Sequence, residues 1–163
     1  MGRLNRVTIL LLSVLLAAPL GLASCSSGSK TEACTPVIRE ALDSNLNHVL
    51  PGAPEPTYLT DPPTSGPHTP GSEVTGVSAT ALSKPVQVGI LEGGAVLVQY
   101  RDPADLEVLR PLATGRTVVA PNPGLHDRVV ATAWVYKQQC RAIDLTALEK
   151  FATDHTGHGP SDG

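Results

Sequence analysis

The segment Thr60-Asp61-Pro62-Pro63-Thr64-Ser65-Gly66-Pro67-His68-Thr69-Pro70 carries four prolines among eleven residues, a density that no helix interior or central strand accommodates. Each proline fixes its own φ at about −65°, donates no backbone hydrogen bond and pushes the preceding residue toward extended geometry. A rigid, shaped loop is expected, with less freedom to lose when it docks on a core. Ser65-Gly66 supplies a turn, and Asp61 and Thr64 can bond nearby backbone N–H groups. His68 is thereby presented in a defined place.

The N-terminus sets an address. Arg3 and Arg6 precede an apolar run from Val7 to Leu22 that ends in Leu22-Ala23-Ser24-Cys25. A basic start, a short apolar middle and small residues before a cysteine make an export signal. The pattern resembles the bacterial lipoprotein signal, an aliphatic residue and two small residues before cysteine. That resemblance implies cleavage after Ser24 and a diacylglyceryl group on the sulfur of Cys25. It places the mature chain on the extracytoplasmic face of the cell membrane, held by acyl chains such as palmitate. At about 0.8 kcal/mol per buried methylene, two acyl chains anchor stably where one is marginal. The expected organisation is a signal over 1–24, a lipidated tether over 25–33, a single α+β domain over 34–153 and a flexible tail over 154–163.

Without Arg3 and Arg6, the 12 Lys and Arg fall to 10 against 15 Asp and Glu, so the mature part is acidic, near −5. It has no basic cluster interleaved with aromatics, which argues against nucleic acid and against electrostatic docking on anionic lipid. With Cys25 committed to lipid, Cys34 and Cys140 form an even pair in an oxidising compartment, and a disulfide is expected. Paired metal or redox thiols are the alternative, but no C-x-x-C or neighbouring histidine accompanies them.

Along the chain, Thr35-Pro36 reads as an N-cap and first turn, with Val37, Ile38, Ala41 and Leu42 at helical spacing, which predicts a helix over 36–47. Residues 84–91 and 95–100 read as two strands joined around Glu92-Gly93-Gly94. Asp102-Pro103 starts a second helix carrying Leu106, Leu109 and Leu112. Residues 116–120 form a strand, and 128–136, with Trp134, a second long β run. Asp144 caps a last helix with Leu145, Leu148, Phe151 and Ala152 on one stripe. The resulting α+β fold has about three helices covering one side of a small, mostly antiparallel sheet, with the proline-rich loop docked on it and one disulfide.

Residues 62–68, Pro-Pro-Thr-Ser-Gly-Pro-His preceded by Tyr58, resemble the family catalogued as domain of unknown function 3105. The likeness extends over about 60–150, through a segment where family members carry His-x-Leu-Glu-His-Gly, then the Trp134 strand, Cys140 and the last helix. Aligning Leu91-Glu92-x-Gly94 with that pattern puts Gly89 and Gly93 at the positions of the two histidines. Gly159-Pro160-Ser161 departs too, since members often have an acid after the proline. The family implies a cluster of histidine and carboxylate able to bind a metal ion or move protons, and brings no established activity with it. This chain retains His68 and Glu92.

His68 suits a metal ligand or general base, because neutral imidazole binds transition metals and titrates near neutrality. Its plainer role is to lock the loop by bonding backbone, and Glu92 beside two glycines can likewise serve a turn. Ser65, three residues before His68, lacks the setting of a nucleophile elbow. His155 and His158 fall in a glycine-rich tail, and His48 and His126 lie beside turn residues, where exposure is expected. The composite expectation is a non-enzymatic, lipid-anchored envelope module with a depleted His68/Glu92 site that displays a surface to another envelope protein and needs no cofactor. The alternative is a copper- or zinc-binding lipoprotein using His68, Glu92 and another histidine. Binding by His68 and Glu92 alone would be weak, and histidines at 89 and 93, on one side of a strand, are expected to strengthen it.

Overall fold

The computed structural model describes residues 32–72 and 74–160; Cys25 and the signal lie outside them. A five-stranded sheet is built from β1 (Ile38–Arg39), β2 (Val96–Tyr100), β3 (Thr117–Pro121), β4 (Val129–Ala133) and β5 (Tyr136–Cys140). Their order is β1-β5-β4-β2-β3. Only β2 and β3 pair in parallel, with Val98 opposite Val119, and the other neighbours are antiparallel. The helices are α1 (Lys84–Glu92), α2 (Leu106–Leu109, flanked by single 3-10 turns) and α3 (Leu145–His155).

All five residues of β2 are buried, so it is a central strand covered on both faces. Alternate residues serve different layers. Val96, Val98 and Tyr100 join Leu109 of α2 and Leu148 and Phe151 of α3 in one apolar cluster. Leu97 joins Val88, Ile90 and Leu91 of α1, with Trp134 and Val135, in the other. The helices therefore cover both sides of the sheet, and the expectation of a one-sided cover is corrected.

That correction follows from α1. Val86, Val88 and Ile90 alternate as a strand would, but Pro85 occupies the first helical turn and Gly93-Gly94 ends the helix. Gly94, at φ 75°, donates its N–H to the Leu91 carbonyl at 2.9 Å, so the paired glycines stop a helix and do not turn a hairpin. The run 84–92 gains more by burying Val88, Ile90 and Leu91 against the sheet than its β-branched residues lose in helix propensity.

The expected helix over 36–47 does not form. Asn45 N–H bonds Asp43 Oδ1 at 2.9 Å and Asn47 N–H bonds Asn45 Oδ1 at 3.2 Å. These side chains take the amides a helix would need. The segment runs as an open strap, with β1 its only strand, and leaves Val37, Ile38, Leu42 and Leu46 at least 39% exposed.

The long β run 128–136 is likewise interrupted. β4 and β5 form a hairpin about Trp134-Val135, and Val135 sits at φ 56°. This conformation is rare for a β-branched residue. It is held from two sides: Val135 N–H donates to Thr64 O at 3.0 Å, and its carbonyl accepts Glu40 N–H at 2.8 Å.

The caps at Asp102 and Asp144 accept from Ala104 and Ala147 N–H, as the sequence predicts. Cys34 and Cys140 form a disulfide. Over the described part of the expected tail, residues 154–160, several contacts form. α3 continues to His155, which stacks on Tyr136 at 4.3 Å, and Gly157 N–H bonds Gly94 O at 2.7 Å. Burial lowers the His155 imidazole from its ordinary range.

Candidate functional site: a His48, His68 and Glu92 cluster

Residues 62–68 are all buried although they form no regular structure. Their backbone groups find partners on either side: Thr64 with Val135, His68 with the strap, and Thr69 N–H with Pro85 O at 3.0 Å. Tyr58 Oη donates to Pro67 O at 2.8 Å, and burial with nearby Glu55 and Asp43 raises that phenol to about 12. Ser65 Oγ accepts Asp43 N–H at 2.9 Å, which ties the strap to the loop.

The loop can lie against α1 because position 89 has no side chain. A Cβ there would stand 2.3 Å from the Thr69 carbonyl and 2.6 Å from Ser72 Oγ. Glu92, one turn further along α1, then comes beside His68. The ring of His68 is 1% exposed, and its Nε2 lies 2.8 Å from Glu92 Oε2.

Nδ1 of His68 is 3.1 Å from the Gly66 carbonyl, which only accepts, so the proton of a neutral ring is on Nδ1 and the lone pair on Nε2. Nε2 is buried and has no aligned hydrogen bond despite the nearby carboxylate. A neutral Nε2 and an ionised Glu92 face each other as two acceptors. They repel unless a proton or a cation lies between them. A histidine whose far nitrogen donates to a backbone carbonyl is also the usual preparation of a metal ligand, with ring and tautomer fixed in advance.

A third donor completes the group. His48 pairs with His68 through backbone, Val49 N–H to His68 O at 2.8 Å and His68 N–H to Asn47 O at 3.1 Å, and the two rings meet edge to face at 5.0 Å. One ligand atom from each of His48, His68 and Glu92 falls within 4.8 Å of the others. Donors to one zinc ion at about 2.0–2.2 Å stand closer together than that limit, so the group tightens when an ion enters it. Glu92, half-buried, also lines a groove of about 680 Å³ with Ser72, Gly93 and Arg116.

Sequence reasoning paired His68 with Glu92 and missed His48. The expectation that His48 is exposed holds, but exposure does not separate it from the cluster. Its position depends on pairing between the strap and the loop, and the local sequence of the strap does not announce that pairing. Gly89 and Gly93 do not line one side of a strand. They lie one helical turn apart, and position 89 has no room for a side chain, so the expectation that histidines there strengthen binding is corrected.

A family described as "Protein of unknown function (DUF3105)" matches residues 53–163. The chain belongs to this family. His68 and Glu92 fall within the matched region, whereas His48 and Cys34 precede it. No curated protein and no solved structure matches the chain. Among the described residues, no helix is long and apolar enough to cross a membrane.

Proposed function

We propose that this member of the family is a non-enzymatic envelope module that binds a transition metal ion through His68, His48 and Glu92. The buried Nε2 of His68 carries this reading, since its tautomer is fixed by Gly66 and its lone pair faces a carboxylate. Two imidazoles and one carboxylate suit zinc or copper(II). Three protein donors leave at least one position for water or another ligand, so moderate affinity is expected, weaker than a closed four-ligand site.

Titration calorimetry of the wild-type protein with zinc and with copper(II) is expected to give a Kd in the micromolar range. His68→Ala should weaken binding by more than about 100-fold and His48→Ala by about 10-fold. Binding that survives His68→Ala unchanged would place the metal elsewhere. If the wild type binds neither ion, the exposed aliphatics Val37, Ile38, Leu42 and Leu46 of the strap favour the second reading, a surface for another envelope protein.

The module's attachment is the second element of the proposal. The Leu22 to Cys25 pattern supports a lipid on Cys25 and a place on the outer face of the cell membrane. Cys25→Ala is expected to leave the protein unprocessed or to release it from the membrane fraction. Incorporation of labelled fatty acid by the Cys25→Ala variant would refute the assignment.

A further inference from the structure

We infer that metal binding at this site is gated by the Cys34–Cys140 disulfide: the oxidised chain holds His48 against His68, and the reduced chain loosens it. The inference rests on the reading of His48, His68 and Glu92 as metal donors.

The three donors are not equally held. His68 belongs to the buried loop and Glu92 to α1, both within the folded core. His48 is exposed and belongs to the strap, which the disulfide fastens at its start. Between Cys34 and His48 the strap buries little apolar surface, since Val37, Ile38, Leu42 and Leu46 all face solvent. Its remaining attachments are polar: Thr35 with Gln138 and Gln139, β1 on β5, Glu40 through its N–H to Val135 O at 2.8 Å and through Oε1 to Lys137 Nζ at 3.3 Å, Asp43 N–H to Ser65 Oγ, and, beside His48 itself, the backbone pairing of Asn47 and Val49 with His68. Each hydrogen bond exchanges for one to water when the strap lifts and adds little net hold, whereas the largely buried Glu40–Lys137 pair holds the middle of the strap more firmly. The disulfide is the one covalent attachment.

Of the two cysteines Cys34 is the less buried, so the thiolate of a thiol reductant attacks Sγ of Cys34 and Cys140 leaves as thiolate. A second thiol then attacks the mixed disulfide. Two reductant thiols become one disulfide, and Cys34 and Cys140 each end as a thiol, having received two electrons and two protons together. His48 remains joined to His68 through the intervening chain, so reduction weakens the third donor without removing it.

The test uses the full-length protein, with zinc as the probe and a chromophoric chelator as competitor. Cys34→Ser/Cys140→Ser is expected to bind zinc more weakly than the oxidised wild type, by less than the about 10-fold loss of His48→Ala. Adding His48→Ala to the serine pair should bring the loss only to that of His48→Ala alone, because both changes act on one donor. Linkage requires the reciprocal effect. In a glutathione redox buffer, with zinc activity fixed by a chelator, saturating zinc should raise the ratio of oxidised to reduced wild-type protein by a similar factor, and should not do so in His48→Ala. This second measurement does not depend on the serine variant folding. Equal zinc affinity of the wild type and a serine-pair variant with native Trp134 fluorescence would overturn the inference, as would a redox ratio indifferent to zinc. A wild type that binds no zinc or copper would instead overturn the metal reading itself.

Discussion

Replacing Gly89 by alanine should destabilise the domain by about 2–3 kcal/mol, although helix propensity alone favours the change by about 1 kcal/mol. Position 89 lies inside α1 with ordinary helical geometry, so removing glycine should help the helix in isolation. The added methyl group, however, would meet the Thr69 carbonyl at 2.3 Å and Ser72 Oγ at 2.6 Å. Ser72 can rotate away. The carbonyl cannot, because Thr69 is fixed to Pro85 through its N–H and adjoins His68. Gly93→Ala is the matching control: its Cβ would come no nearer than 3.4 Å to the Ile90 carbonyl, and its backbone is already at φ −67°. It should be neutral or mildly stabilising. Urea unfolding of the two variants side by side decides the matter, and a Gly89→Ala protein as stable as wild type would refute the close approach. Gly89→His combined with Gly93→His should lower metal affinity, since it pushes away the loop that carries His68.

Cys34→Ser is expected to cost about 2–4 kcal/mol in chemical unfolding, because the disulfide closes a separation of 106 residues and restricts the unfolded chain accordingly. Cys140→Ser should cost about 1–3 kcal/mol more. Cys140 is fully buried in the cluster with Leu148 and Phe151, so a hydroxyl there enters apolar surroundings, whereas Cys34 is half-buried and its serine can reach water. Two cysteines labelled by alkylation under denaturing, non-reducing conditions would show that no bridge had formed. Equal losses from the two variants would mean that burial at Cys140 contributes nothing beyond the bond.

What the sequence made legible were features whose cause is local or covalent. Asp102-Pro103 and Asp144 cap helices because a short carboxylate reaches the free N–H groups two or three residues ahead. The apolar run of β2 announces its burial, and Cys34 and Cys140, the even pair that remains once Cys25 is set aside, announce their bond. The proline loop and Glu92 pointed to a shared polar site. The misreadings share one origin: at α1 and in the strap, two local signals compete and distant contacts decide between them. Val86, Val88 and Ile90 alternate like a strand, yet Ser83, Pro85 and Gly93-Gly94 bracket a helix, and the sheet face that α1 covers is assembled from residues after it in the chain. In the strap, Val37, Ile38, Ala41 and Leu42 suggest a helix, whereas Asp43, Asn45 and Asn47 draw amides into turns. His48 was invisible for the same reason, since its partner lies twenty residues on and its own neighbours carry no sign of it.

The pairing of β1 with β5 has a consequence for the order of events in a chain made from its N-terminus. Cys34 and Ile38–Arg39 are synthesised early, yet their partners Tyr136–Cys140 are almost the last part of the sheet to appear. Until then the strap has no edge to join, and the loop-closure cost of bringing its ends together exceeds that of every shorter-range strand pair. The nascent chain therefore carries Cys34 without its partner through most of its synthesis. Docking of the strap waits on β5, whose emergence supplies both the edge for β1 and the second cysteine.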